Sequence, residues 1–220
     1  MPKVRDIEVL GPRPASDDGF LKLSRRTACN VREDGSRSRP YPIDLIDRPS
    51  LDAVAVCAFS REGQTIRVLT RAGLRPAALF RRGKKTALPE REYLLVEELV
   101  AGVLEPGETG LAAILHRAAE ELHEEAGIDL SVNRFSQLGG PIFMLPGIAS
   151  EKIHLVVVEV EGPVPEGLFD APGDGDGSPL EEGAQLRWRR LDEALLACET
   201  GEIEDAKTEV AFGRLARKVR

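Results

Sequence analysis

Four glutamates fall within six residues of this chain: Glu120, Glu121, Glu124 and Glu125. Glu120 and Glu124 are four apart, as are Glu121 and Glu125, the spacing that stacks side chains on one helical face. Each such like-charge pair costs about 0.2–0.5 kcal/mol on an exposed helix. Gly127 follows as a ready helix stop. The carboxylates therefore gather at a helix C-terminus, where the macrodipole is already negative and Lys or Arg would be the favourable choice. A hard divalent cation removes the conflict, because Mg2+ takes carboxylate oxygens. Glu121, Glu124 and Glu125, at i, i+3 and i+4, can share one such site. On charge alone, a solvated acidic face is the competing reading. Arg117, four before Glu121, lies on the same face and is a candidate to orient its carboxylate.

The element carrying these residues is the clearest in the sequence. Thr109 can cap its start, and Leu111, Leu115, Ala118, Leu122 and Ala126 make an apolar stripe at helical spacing. Strands are expected around it, over residues 52–59, 65–70 (after a turn at 61–63), 92–99, 135–143, 153–160 and 185–189. Residues 102–108 read as a glycine-bearing loop, 81–85 as a solvated basic loop, and 163–183 as a loop rich in Gly, Pro and Asp. Two short helices, 191–198 and 204–219, close the chain. The first fifty residues read as a separate small β unit. Alternating segments at 20–23 and 41–46 flank turn chemistry at 33–36, and Pro40, Pro42 and Pro49 keep the region non-helical. The class is α+β, with a mixed sheet between helices, plus this N-terminal β subdomain.

Composition narrows the role. The 220 residues are 42% hydrophobic and 30% charged, a balance that supports a real core. A net charge of −7 argues against a nucleic-acid-binding surface. No apolar run approaches the ~20 residues of a bilayer span, and the first ten residues lack a secretory apolar stretch. A cytoplasmic protein without a membrane partner is expected. Cys29, Cys57 and Cys198 are odd in number and far apart, so they read as unreactive thiols. His116, His123 and His154 are scattered and receive no chemistry; Trp188 reads as core.

The acidic segment resembles the Nudix hydrolase box, G-x5-E-x7-R-E-U-x-E-E-x-G-U, with U aliphatic. Glu121, Leu122, Glu124, Glu125, Gly127 and Ile128 match its second half, and Gly102 and Glu108 its first. The stretch between the halves is four residues longer, about one helical turn. Glu120 stands at the box arginine, for which Arg117 is the candidate substitute. Further segments are similar to the ADP-ribose and nucleotide-sugar pyrophosphatase branch. Glu98 to Gly102 resembles its E-L-P-A-G, with Val100 for the proline. Arg71 to Pro76 resembles a substrate-side Q-Y-R-x-P strand end. Leu145, Pro146, Gly147 and Glu151 resemble S-P-G-x-x-x-E, and residues 205–209 read D-A-K-T-E.

The resemblance implies a Nudix-type α/β/α sandwich over residues 51–220 and a dimerising β subdomain over 1–50. It implies Mg2+-dependent hydrolysis, with Mn2+ as the alternative ion. The bond cut is the pyrophosphate of a nucleoside diphosphate sugar, giving a nucleoside monophosphate and a sugar phosphate. Glu121 and Glu125 would be the main metal ligands, Glu124 would lie between metals, and the backbone of Ala101 would add an oxygen. Arg71, Arg75, Glu98, Gly102, Pro146 and Gly147 would meet the substrate, although either arginine can instead be a surface charge, and Glu98 can instead bind metal or be a structural carboxylate. A general base is expected from the acidic loop at 170–183. That loop offers Asp174, Asp176, Glu181 and Glu182, with Glu182 preferred because it just precedes a strand. Two alternatives stand beside this reading: a silent Nudix-like sensor of nucleotide sugars, and a hydrolase of nucleoside or dinucleoside polyphosphates.

Overall fold

Two extended runs near the N-terminus pair with each other. Strands β1 (Lys22–Ala28) and β2 (Tyr41–Asp47) form a two-stranded antiparallel sheet of their own. The computed structural model describes residues 19–88, 91–171 and 177–219. A longer hairpin follows, β3 (Ala53–Glu62) and β4 (Thr65–Leu74). Its two-residue turn places Gly63 at a φ of 59°, the left-handed region that glycine enters freely. A single helical turn, α1 (Pro76–Leu79), starts on a proline, whose fixed φ suits the first helical position.

Strands β5 (Leu95–Glu98) and β6 (Val100–Val103) come next, then the long helix α2 (Gly110–Ala126). The short strands β7 (Ser136–Gln137) and β8 (Ile142–Phe143) precede β9 (Lys152–Glu159). The chain ends with β10 (Leu168–Asp170), β11 (Gln185–Arg190), α3 (Leu191–Glu199) and α4 (Ala206–Lys218).

The main sheet runs β10-β11-β4-β3-β9-β7, with β5 on β4, β6 on β3 and β8 on β9. Only β3 and β9 pair in parallel among the described strands, so the sheet is mixed. The central strand β3 shows why the layers form. Its residues alternate between two cores, and both faces are buried, which gives a nearly continuous apolar run. Val54, Val56 and Ala58 pack with Ile114, Ala118, Leu122 and Ala126 of α2. Ala55, Cys57 and Phe59 pack with Ala194 and Ala197 of α3 and with Phe212 and Leu215 of α4. The protein is thus α+β, a mixed sheet with α2 on one face and α3 and α4 on the other. The N-terminal hairpin joins this body where the Ile46 N–H donates to the Ile148 carbonyl at 2.7 Å and Arg48 pairs with Glu151.

The structure differs from the sequence expectation in several places. Gly102 lies in strand β6 and not in a loop. Leu111 is 49% exposed, and Ile114 takes its place in the buried stripe. Thr109 is at the helix start but its side chain makes no capping bond. The region 163–183 includes β10 and a 3-10 turn, Pro179–Glu181. Trp188 is buried in the core beneath α2, as expected. No described helix is long and apolar enough to cross a membrane.

Candidate functional site

The end of α2 lies against β6, and glycine makes the contact close. Gly102 sits opposite Val54 in the β3–β6 register, on the face that α2 covers. A Cβ built on Gly102 would collide with the Glu121 carboxylate. The glycine in this position therefore acts as a seat for a carboxylate. One residue earlier, the Ala101 N–H donates to Glu125 Oε2 at 3.1 Å. The helix ends cleanly at Gly127, at a φ of 64°, whose N–H donates to the His123 carbonyl. Glu124 is exposed, whereas Glu121 and Glu125 are half-buried at the strand.

Electrostatics follow from this packing. Burial first, then the neighbouring Glu125 and Glu124 charges, push the Glu121 carboxyl up to about 7. Burial also raises Glu125, against the opposing pull of Arg71 and the Ala101 N–H. Two half-buried carboxylates on one helical face thus resist ionising together. A divalent cation would reverse that, and the donors at hand (carboxylates and strand carbonyls) are the hard oxygens that Mg2+ takes. Among the described residues, no three His, Cys, Asp or Glu side chains are already gathered as a closed metal-holding group.

Arg71, on β4 and only 2% exposed, lies beside these glutamates. Its Nε is 3.6 Å from Glu125 Oε1, and its Nη2 contacts Glu181. Glu98 faces it across the β4–β5 pairing, where Arg71 and Glu98 are directly opposed. The Glu98 carboxylate is itself buried and held by two cations. Arg75 Nε donates to it at 2.5 Å, and Lys207 Nζ donates to its other oxygen. Arg75 keeps 37% of its side chain exposed, so Glu98 anchors a cation at the rim.

The segment at 205–209 explains how this wall is fixed. Asp205 caps α4 by accepting from the Thr208 N–H at 2.9 Å, and it accepts from Lys207 at 2.9 Å. The Thr208 hydroxyl accepts the Leu99 N–H at 2.9 Å, between β5 and β6. Asp205, Lys207 and Thr208 thus dock the last helix onto the two strands that carry Glu98, Ala101 and Gly102. The sequence singled out this segment but gave its side chains no partners.

Other sequence candidates fall elsewhere. Arg117 forks onto Glu108, at 3.2 Å from Nε and 3.0 Å from Nη2, and pairs with Glu120 at 3.3 Å. It braces the turn before α2 and does not bond the Glu121 carboxylate. Glu182 is exposed, and its neighbour Glu181 is the loop acid that reaches Arg71. Asp174 and Asp176 lie outside the described residues. Pro146 and Gly147 are exposed, in the turn closed by Ile148 and Ala149 N–H groups donating to the Leu145 carbonyl. That turn abuts β2, and Glu151 is taken up by Arg48. Among the histidines, His116 pairs with Glu120 and His154 with Asp52.

The arrangement brings acidic oxygens, a buried guanidinium and a half-exposed guanidinium to one end of α2. It suits an anionic ligand held by arginine and a cation, and among the described residues it brings in no cysteine. Comparison of the chain with protein-family models and with curated proteins gave no match.

Proposed function

We propose that this protein is a Nudix-type, Mg2+-dependent pyrophosphohydrolase acting on a nucleoside diphosphate sugar such as ADP-ribose or a UDP-sugar. One observation carries the reading: Glu121 and Glu125, at the end of α2, close onto the Gly102 seat and the Ala101 N–H of β6. The box-like pattern of glycine and glutamates in the sequence thereby acquires a physical reason. The glycine makes room for the carboxylate that follows it by nineteen residues.

Mg2+, or Mn2+ in its place, would be held by Glu121 and Glu125, with Glu124 and the Ala101 carbonyl as further donors. Bound there, the ion supplies charge neutralisation of the pyrophosphate and a more acidic water. The chain's own groups do the rest. Arg71 and Arg75 offer guanidinium forks to phosphate oxygens. Glu98 holds Arg75 in place, and Lys207 balances the charge of Glu98. The exposed Phe20, Leu21 and Leu23 of the N-terminal unit support a homodimer formed through that unit.

A non-hydrolysing sensor on the same frame is the second reading. It is favoured by Arg117, which braces Glu108 and leaves Glu121 without the guanidinium the box would give it. Product analysis separates the readings. ADP-ribose, UDP-glucose, GDP-mannose and dinucleoside polyphosphates are each incubated with the protein in Mg2+. Release of a nucleoside monophosphate and a sugar phosphate supports the first reading. Cleavage of dinucleoside polyphosphates alone, or of none, refutes it.

A further inference from the structure

We propose that Glu181 is a built-in plug on an anion seat formed by Arg71: its carboxylate occupies the place on the guanidinium that a phosphate group of the ligand takes, and binding exchanges one for the other. The idea deepens the reading above, since it names the regulation of the same site, but it needs only that a phosphate-bearing ligand enters.

Arg71 is an unusual group to find so deep. It is the largest fully buried side chain among the described residues. A buried guanidinium is tolerated when its donors are spent on well-placed acceptors. Here the pairing is incomplete. Glu125 lies 3.6 Å from Nε, beyond hydrogen-bond reach, and Nε has no hydrogen-bond partner among the described residues. Glu181 Oε2 meets Nη2. The two carboxylates neutralise Arg71 but leave Nε without an acceptor among the described residues. A phosphate can take Nε and Nη2 together as a bidentate partner.

The seat lies on a strand and the plug on an exposed turn. Gly73 lies beneath the guanidinium, and a Cβ there would collide with Nη1, so the backbone of β4 is shaped around it. Glu181, by contrast, is on a one-turn 3-10 helix whose neighbours Pro179, Leu180 and Glu182 are all exposed. The segment is pinned just beyond that turn, where the Ala171 N–H donates to the Ala184 carbonyl and Asp170 pairs with Gln185. Withdrawing Glu181 therefore moves one side chain of an exposed turn and leaves the sheet intact.

The test is binding of inorganic pyrophosphate to the full chain by calorimetry, with and without Mg2+. Glu181→Gln should bind at least about tenfold more tightly than the wild type, because the competitor is removed while the seat remains. Adding Arg71→Lys, which keeps the charge and loses the fork, should cancel that gain; near-ultraviolet circular dichroism reports whether the variant is folded. Unchanged or weaker binding by Glu181→Gln overturns the proposal, as does a gain that survives Arg71→Lys. No turnover is needed, so failure of hydrolysis across every nucleotide substrate would sink the proposed activity while leaving this result to be judged on its own.

Discussion

Replacing Gly102 by alanine tests the carboxylate seat without touching a charged group. Gly102 is not at a positive φ, so alanine fits the backbone. At such a position Gly→Ala alone stabilises a fold by about 0.4–1 kcal/mol, through the unfolded chain. The added Cβ would, however, collide with the Glu121 carboxylate. Overpacking of that kind costs about 1–3 kcal/mol. The net expectation is a loss of up to about 2.6 kcal/mol, read from urea denaturation midpoints. The sign of the change is therefore diagnostic. In a Glu121→Ala background the collision is gone, and the same substitution should become neutral or stabilising. The double-mutant cycle should show a coupling of about 1–3 kcal/mol, against additivity within about 0.3–0.5 kcal/mol for independent sites. Displacing Glu121 by an ångström or more should also lower turnover about 100-fold. Stabilisation of the wild type by Gly102→Ala, or an additive cycle, would refute the seat.

Two further expectations follow from the same neighbourhood. With its pKa raised from the usual 4.5 to about 7, Glu121 holds a proton in the folded chain that it has lost in the unfolded one. Stability without metal should therefore fall as pH rises between those values. The full displacement corresponds to about 3 kcal/mol, and partial solvent exposure reduces it to roughly 1–2 kcal/mol. Thermal melts across pH 4.5–7 should show the decline, and Mg2+ should flatten it; a metal-free profile that rises through this window contradicts the assignment. Separately, Thr208→Val strands the Leu99 N–H that the hydroxyl now accepts, at a cost of about 1–3 kcal/mol. Thr208→Ser should retain most of the stability, and equal denaturation midpoints for the two variants would show that the hydrogen bond is not what docks α4.

Helix α2 was legible because its apolar period, its stop at Gly127 and its crowded glutamates are all local signals. Its first turn departs from that pattern: Leu111 continues the helical period, but Ile114 is the first helix residue that packs on the sheet. The β5–β6 boundary was hidden for a non-local reason. Leu99 breaks the strand by donating its N–H to Thr208, more than a hundred residues later. That break puts Gly102 in a strand, where the sequence reads as a loop. The choice between Glu181 and Glu182 rests on one 3-10 turn, and adjacent glutamates carry no signal of which faces inward. Glu97 and Glu98 show the same limit. Strand alternation sends them to opposite faces, yet only the fold reveals that Glu97 meets Thr70 and Arg189 while Glu98 meets Arg75 and Lys207. Arg117 reads as a partner for Glu121 on its own helix, but its fork goes to Glu108 on the preceding turn.

The most direct test of the central claim is turnover of ADP-ribose and UDP-glucose by the wild type and by Glu125→Gln, with Mg2+ and with chelator. Release of a nucleoside monophosphate and a sugar phosphate is expected from at least one of them, abolished by chelator and reduced at least about 100-fold in the variant. Cleavage that persists in chelator, or that Glu125→Gln leaves unchanged, would contradict it.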